Sequence, residues 1–468
     1  MTKFTGTNGA NTADATGFFT GPLLQGFTGG NLAKLQDSIG DVILGLGGND
    51  IVAGGSGNDT INGGTGNDLL AGGAGNDTLN AGTRTVDANG VGFQGLVGGA
   101  GNDTFIVSAA EAATTLVSYR EGGPASVTVN LATDTATDTF GNTDTLTGVT
   151  FVVATDSADV LTGGNTDDIF APGRGNDTVD GGAGNLDSLS YFFIAQFNSD
   201  AFEFVSGITV THSADNTGTV TSGDGVNTSF TNIEIIAGTK FVDNMTGSAD
   251  DDWFIGGQDD DILTGGGGTH DKADYSLDVA GGGLSGVTVD LSLGTATDGF
   301  GDSDTLSGIE DINGTVFGDT IFGNGDGNSL FGGGGNDQLV GEGGTDFLIG
   351  DLGKDFMTGG ADNDFFDFNS KLDSRKGALR DVITDFSGQA GDGDLINLSD
   401  IDAKKGGADN AFKFITSKFH QKAGELLVKF NAVDGVAIVS GDIDGNGKAD
   451  FQIEVNSGAA LSALDFIL

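Results

Sequence analysis

Cysteine is absent from the 468 residues, which excludes disulfides and thiolate metal centres. Proline occurs three times, so a proline-rich spacer is excluded too. Positive charge is scarce. Lys plus Arg number 19 against 67 Asp plus Glu, a formal net charge of −48. Such a chain repels nucleic acid and anionic membranes. It also repels itself, so its compact state calls for counter-charge, for which a multivalent cation is the natural candidate. No apolar run reaches the length of a transmembrane helix. The opening stretch MTKFTGTNGANTADATGFF lacks a basic segment followed by an apolar one, so a secretory signal peptide is not expected there. Glycine is abundant instead, at 86 residues, and it is periodic rather than scattered. The length suits an elongated repeat protein or two to three domains.

The period is nine. In GNDIVAGGSGNDTINGGTGNDLLAGGAGNDTLN an aspartate recurs every ninth residue, with an apolar residue two further on. The first array has Asp41, Asp50, Asp59, Asp68 and Asp77 at the sixth position of the repeat, and GGAGNDTFI adds an isolated copy at Asp103. Further arrays run Asp159, Asp168, Asp177; then Asp243, Asp252, Asp261; then Asp319, Asn328, Asp337, Asp346, Asp355, Asp364. A longer repeat encloses them. VTVNLATDTATDTFGNTDTLTGV from Val127 returns as VTVDLSLGTATDGFGDSDTLSGI from Val287, and a weaker copy starts at Gly207. Each copy follows a tyrosine, Tyr119, Tyr191 or Tyr275. Composition changes near Asn369, since 11 of the 19 basic residues lie from Lys371 onward. The expected organisation is a cap segment over 1–40, a first array over 41–107, insert-plus-array units over 108–190, 191–274 and 275–368, and a separate C-terminal domain over 369–468.

Elementary geometry accounts for the repeat. The last three residues, x-apolar-x, have the alternation of a short strand. The first six must reverse the chain, and glycine supplies the positive φ angles this needs. Two repeats close one turn of a flat coil, so residues 18 apart stack roughly 4.8 Å from one another. Stacked carboxylates repel unless a hard cation lies between them, and carboxylate plus carbonyl oxygens in a six- to eight-fold shell suit calcium. The spacing predicts two ladders of calcium sites, with nine pairs of sixth-position residues 18 apart.

GGSGNDTIN, GGTGNDLLA and GGAGNDTLN resemble the repeats of the RTX, or haemolysin-type calcium-binding, family. The resemblance covers roughly Gly40 to Asp367 and implies an all-β, right-handed parallel β-roll or β-solenoid. It implies calcium held by the sixth-position aspartates and by loop-glycine carbonyls such as Gly55, Gly57, Gly64, Gly66, Gly73, Gly75, Gly333 and Gly335. The pattern is broken at Asn328, at Leu46 and Glu342 in place of second-position glycines, and at Asp259 in place of a fourth-position one, where weaker sites are expected. The C-terminal part is similar to the C-terminal domain of serralysin-type secreted proteins. That likeness implies an uncleaved type I secretion signal, an acidic residue followed by apolar ones, matched by Asp465-Phe466-Ile467-Leu468. The type I secretion apparatus is therefore an expected partner, and the expected location is extracellular or at the cell surface.

Other signals are weaker. DIDGNGKAD, Asp442–Asp450, opens like an EF-hand loop with Asp442, Asp444 and Asn446 as ligands, but Ile453 stands at the twelfth position, so a bidentate ligand is missing unless Asp450 or Glu454 compensates. A plain acidic turn is the competing reading. SRKGALRDVITDF and ALSALDFIL look like short amphipathic pieces. His212, His270 and His420 are scattered outside any H-E-x-x-H, so a serralysin-type zinc site is not expected. Trp253 at a seventh position is expected to pack under a neighbouring loop, and the three tyrosines to cap the core. The expected function is that of a secreted, non-catalytic calcium-binding protein of a surface layer, matrix or adhesin, self-associating or bound to an acidic surface polysaccharide. Alternatives are a polysaccharide lyase or epimerase on a β-solenoid, or a secreted host-interaction or signalling protein.

Overall fold

In a computed structural model the described residues are 3–5, 32–34, 40–86, 92–120, 125–192, 204–388, 391, 393–404 and 410–468. The cap expected over 1–40 lies largely outside them. The chain divides into two compact units, Met1–Gly257 and Gln258–Leu468, built on one plan.

In the first unit, Val42–Leu44, Thr60–Asn62, Thr78–Asn80 and Thr104–Ile106 pair in parallel as one sheet. Ile51–Ser56, Leu69–Ala74, Gln94–Ala100 and Thr115–Ser118 pair in parallel as the other. The chain alternates between the sheets every nine residues. Register pairs Ile43 with Ile61 and Ile61 with Leu79, the 18-residue step that two nonads dictate. The middle side chain of each three-residue strand points inward, so Ile43, Ile61, Leu79 and Phe105 are fully buried while their neighbours face outward. The second unit repeats this with Ile321, Leu330, Leu339, Leu348, Met357 and Phe366, all fully buried. Its strands Thr320–Asn324, Gln338–Gly343 and Phe356–Ala361 pair in parallel, as do Ser329–Phe331, Phe347–Ile349 and Phe365–Asp367.

The strand-rich inserts enlarge one sheet and leave the other in step. In the first, Thr143–Thr147 pairs in parallel with Thr104–Ile106, then antiparallel with Thr135–Thr137, which pairs antiparallel with Thr128–Asn130. Thr128–Asn130 then takes up the parallel roll again with Val160–Thr162. The opposite sheet passes directly from Thr115–Ser118 to Phe151–Val153. The second insert repeats the S-shaped path through Val226–Thr231, Thr217–Ser222 and Ile208–Ala214. The third does so through Ser303–Ser307, Thr295–Thr297 and Thr288–Asp290.

Beyond Asn369 the strands still join these two sheets. Phe356–Ala361 pairs with Val382–Ile383, and that with Phe451–Asn456, followed by the antiparallel strands Val436–Asp442 and Glu425–Asn431. On the other sheet Phe365–Asp367 pairs with Leu395–Asn397, and that with the terminal Phe466–Ile467. The two expected amphipathic pieces form no lasting helix. SRKGALRDVITDF gives one 3-10 turn, Gly377–Leu379, and then the short strand Val382–Ile383. ALSALDFIL gives the turn Ala463–Asp465, capped by Ser462, and then Phe466–Ile467. Segments this short do not repay the nucleation of an α-helix, and sheet pairing of their apolar residues wins.

Candidate metal ladders

The stacked aspartates meet through their backbones. Asp41 N–H donates to Asp59 Oδ1 at 2.7 Å, Asp50 to Asp68 at 2.9 Å and Asp59 to Asp77 at 2.7 Å. The same bond links Asp159 to Asp177, Asp319 to Asp337, Asn328 to Asp346, Asp337 to Asp355 and Asp346 to Asp364. Position five forms a second ladder in the opposite direction: Asn67 N–H donates to Asn49 Oδ1 at 3.0 Å and Asn76 N–H to Asn58 Oδ1 at 2.9 Å. This explains the recurrent asparagine.

Two glycines serve different ends. The first-position glycine makes room: a Cβ on Gly63, Gly72, Gly332 or Gly341 would run into the sixth-position carboxylate of its own repeat, Asp68, Asp77, Asp337 or Asp346. The second- and fourth-position glycines are left-handed. Gly55 and Gly57 have φ of 99° and 115°, Gly64 and Gly66 101° and 142°, Gly73 and Gly75 111° and 133°, Gly333 and Gly335 85° and 129°. Leu46, Glu342 and Asp259 keep this conformation at φ 74° without being glycine, a strained choice for an L-residue.

Position two sorts the repeats into two kinds. Where it is left-handed, the position-six Oδ2 has no hydrogen-bond partner although it is buried: Asp68, Asp77, Asp103, Asp337, Asp346, Asp355 and Asp364. Where it is not left-handed, its N–H reaches that oxygen. Thr155 donates to Asp159 Oδ2 at 2.8 Å, Gly164 to Asp168 at 2.6 Å, Thr239 to Asp243 at 2.5 Å, Ser248 to Asp252 at 2.6 Å and Thr315 to Asp319 at 2.7 Å. Asn328 belongs with the second kind, accepting Asn324 N–H at 2.9 Å while its amide nitrogen donates to the Glu310 carbonyl at 2.9 Å. Asp177 is intermediate, with Oδ2 3.3 Å from the Thr228 hydroxyl. Asp261, in the second unit, follows a left-handed Gly257 and donates its N–H to Asp304 Oδ1 at 2.9 Å.

The ladders run past the arrays. Asp77 N–H donates to Asp103 Oδ1, Asp103 to Asp144, Asp168 to Asp187, Asp355 to Asp381 and Asp364 to Asp394. Asp144, Asp187 and Asp381 again carry a buried Oδ2 without a partner. Sequence periodicity missed these residues because their steps from the rung before are 41, 19 and 26 residues in place of 18. The apolar residue two positions on, Leu146, Leu189, Ile383 or Ile396, was the available signal.

A hard cation fits the first kind of repeat. A buried, unpartnered carboxylate oxygen is costly. Burial is the main cause that lifts the pKa of Asp68, Asp77, Asp346, Asp355 and Asp364 to about 7 and of Asp337 to about 8, against the backbone N–H bond that lowers it. The donors are oxygens only, which suits calcium. Arginines sit elsewhere: Arg84 pairs with Glu111, Arg174 with Asp156 and Asp224, and Arg380 with Glu454. Among the candidate carbonyls, those of Gly64 and Gly333 each already accept one N–H, from Thr83 and Leu352 at 2.8 and 2.9 Å.

The lesser signals resolve individually. Asp442, Asp444 and Asp450 bring carboxylate oxygens within 4.8 Å of one another. Asn446 instead donates to Asp444 at 2.9 Å and accepts Lys448 N–H at 2.8 Å. Asp450, with Glu454 a candidate to compensate for Ile453 at the twelfth position, is the third carboxylate of this cluster. The buried His212 ring pairs through Nδ1 with Asp252 and packs edge-on to Phe230. His270 pairs with Asp311 and His420 with Glu425. Trp253 is half-buried on a strand beside Ile235. The three tyrosines are buried, and Tyr191 and Tyr275 donate to Thr228 at 3.0 Å and Asp304 at 3.1 Å.

Comparison with known families gives two matches. Residues 44–79, 144–179 and 238–269 match the RTX calcium-binding nonapeptide repeat, and residues 307–468 match the peptidase M10 serralysin C-terminal family. The chain is an RTX repeat protein with a serralysin-type C-terminal region. Calcium is accordingly the ion of its repeats, and its C-terminal region is of the kind associated with type I secretion to the exterior. Among the described residues, no helix of this RTX protein is long and apolar enough to cross a membrane. Curated proteins give no match. Among solved structures, the AlgE6R3 subunit of the Azotobacter vinelandii mannuronan C5-epimerase is 26% identical over 32% of this chain and 78% of that one, with a TM-score of 0.24.

Proposed function

We propose that this RTX protein is a non-catalytic, calcium-loaded β-solenoid that works outside the cell as a structural component of a surface layer, a matrix or an adhesive coat. The observation that carries this reading is the column of buried, unpartnered carboxylate oxygens in the left-handed repeats, Asp68, Asp77, Asp337, Asp346, Asp355 and Asp364. These oxygens, with carbonyls of the loop glycines, would hold the ions. The carboxylates of Asp159, Asp168, Asp243, Asp252 and Asp319 would shape their loops instead, being already bonded by the chain. Type I export then delivers the chain to calcium, and the folded solenoid is the product.

The calcium-loaded protein, incubated with acidic and neutral polysaccharides, is expected to leave their chain length and uronic-acid composition unchanged. Cleavage or epimerisation would overturn the non-catalytic reading. Electron microscopy of secreting cells is expected to show a coat that chelator removes.

A further inference from the structure

One row of outward residues in the fourth array changes character part-way. Ser329, Phe347 and Phe365 are in register on successive strands of one sheet. The rings of Phe347 and Phe365 stack, with centroids 4.7 Å apart and an interplanar angle of 5°. On the other side of Phe347 stands Ser329, too small to continue the stack, and Phe347 is 38% exposed. Lysines of the chain cover other rings nearby. Lys272 Nζ lies 5.3 Å from the Phe331 centroid, and Lys354 Nζ 4.9 Å from that of Phe356. Among the described residues, no cation lies over Phe347.

A cavity of about 550 Å³ opens on that uncovered side. Phe347 lines it and Phe365 does not; its other walls include His270, Glu310 and Asp326 of earlier rungs and Thr345 beside the ring. Regular repeats bridge successive loops with position-five asparagines, but here position five holds Gly327 and Thr345. Glu310 is held from two sides. The Asn328 amide donates to its carbonyl at 2.9 Å, and its Oε2 accepts the Asp271 N–H at 3.1 Å. Among the described residues, its Oε1 and the Asp326 carboxylate accept no hydrogen bond. Burial lifts the Glu310 pKa above its ordinary value. The Asp271 N–H lowers it, Asp311 and Asp326 raise it further, and His270, paired with Asp311 at 3.4 Å, lowers it.

We propose that this cavity binds a sugar unit carrying a protonated amine, with its ring over Phe347 and its ammonium against Glu310 and Asp326. An ammonium beside an aromatic face is drawn by the ring quadrupole and, here, by two carboxylates with oxygens to spare. Lys272 and Lys354 show the same attraction within the chain. A cyclic ligand takes up the stack where Ser329 breaks it off, burying its apolar face on the ring, which a lysine side chain of a protein partner would not do. The Thr345 hydroxyl is a partner for the sugar's hydroxyls. The same negative charge turns a uronic acid away from this cavity. The proposal needs the folded solenoid, but neither its structural role nor any particular count of calcium ions.

The test is titration calorimetry of the folded, calcium-loaded full-length chain at physiological ionic strength, which screens non-specific attraction. Protein concentration is kept where the chain is monomeric, and circular dichroism checks each variant's fold. A glucosamine tetramer is expected to fill one saturable site. Its N-acetylated form is expected to bind about tenfold more weakly or worse, as the loss of a charged contact implies, and a galacturonic acid tetramer not at all. Phe347→Ala and Glu310→Gln are each expected to weaken the glucosamine tetramer about tenfold. Phe356→Ala, whose ring Lys354 already covers, and Asp400→Asn, an exposed carboxylate elsewhere, are expected to keep the parental affinity. Should Phe347→Ala fail to fold, Ser329→Phe replaces it; it extends the stack into the cavity and is expected to abolish binding. Parental affinity in folded Phe347→Ala or Ser329→Phe would overturn the site, and so would equal weakening by Asp400→Asn and Glu310→Gln, which would reduce the effect to net charge. A tetralysine peptide that binds as tightly, with the same dependence on Phe347, would overturn the sugar and assign the cavity to a protein partner.

Discussion

At the scale of single residues, the sixth-position carboxylate is caught between three occupants: water in the unfolded chain, a proton in the calcium-free fold and calcium in the loaded one. Burial lifts Asp68, Asp77, Asp346, Asp355 and Asp364 from 3.8 to about 7, and Asp337 to about 8. A folded pKa above the unfolded one means that the fold binds more protons between about pH 4 and pH 8. Without calcium its stability therefore falls as pH rises through that window. Calcium must displace those protons, so its affinity should rise across the same window and level off above about pH 8. Titration calorimetry at pH 6 and pH 8, in buffers of different ionisation heat, is expected to show weaker binding and proton release at pH 6. Equal affinities without released protons would refute this account. Glycine carries a second residue-scale prediction. A Cβ on Gly341 would strike Asp346 Oδ2, whereas one on Gly343, two residues on, would meet nothing nearer than Ala361 Cβ at 3.9 Å. Gly341→Ala is expected to cost roughly 1–3 kcal/mol, as overpacking does. Gly343→Ala is expected to be tolerated. Chemical denaturation at fixed calcium compares them, and equal midpoints would contradict the packing argument.

At the scale of the element, the unit is the nonad, and its two kinds are set by the backbone at position two. Asp68→Asn is expected to lower calcium stoichiometry, because it alters an oxygen without a partner in the chain. Asp159→Asn is expected to leave stoichiometry unchanged and to lower stability alone, since Thr155 already donates to Asp159 Oδ2 at 2.8 Å. Dialysis counts on both variants check this; loss of an ion in both would erase the distinction. Much of this element was legible in the sequence. The period of nine placed the inward apolar residues from Ile43 to Phe366, and the 18-residue stacking followed from two nonads per turn. The distinction between repeats was only half legible. Thr155, Thr239 and Thr315 stand in second positions where glycine is usual, but Gly164 looks ordinary in sequence and yet donates to Asp168 Oδ2 at 2.6 Å. Its φ depends on the loop around it, which residue type alone does not fix. The S-shaped inserts were legible as strands, not as detours of one sheet, because antiparallel and parallel partners have the same alternation. Asp144, Asp187 and Asp381 escaped notice because an insert, a one-residue slip and a longer connection make their steps from the preceding rung 41, 19 and 26 residues in place of 18.

At the scale of the whole molecule, charge decides when the fold forms. Leaving out the four pairs that contain Asp159, Asp243, Asp319 or Asn328, five divalent ions, one for each remaining pair of stacked positions, would bring the formal charge from −48 to −38. At ten times its dissociation constant, each independent site adds about 1.4 kcal/mol, and five add on the order of 7 kcal/mol. That lies in the range of an entire domain's stability, so the calcium-free chain at neutral pH is expected to be unfolded and to gain its β-spectrum at about millimolar calcium. Folding then uncovers a reason to associate. Position-seven residues of the fourth array face outward, and three of them are phenylalanines. Phe347 and Phe365 stack with ring centroids 4.7 Å apart, and Phe347 and Phe356 are 38% and 43% exposed. Outward aromatic rows invite contact with a second copy, and the negative charge that would hold copies apart is what calcium reduces. Calcium titration followed at once by circular dichroism and light scattering is expected to show the β-spectrum first and larger particles next. Phe356→Ser with Phe347→Ser is expected to keep the first transition and delay the second. A β-spectrum that survives excess chelator at neutral pH would remove the folding argument. A single monomeric species through several millimolar calcium, with the β-spectrum complete, would leave the structural role without its physical basis.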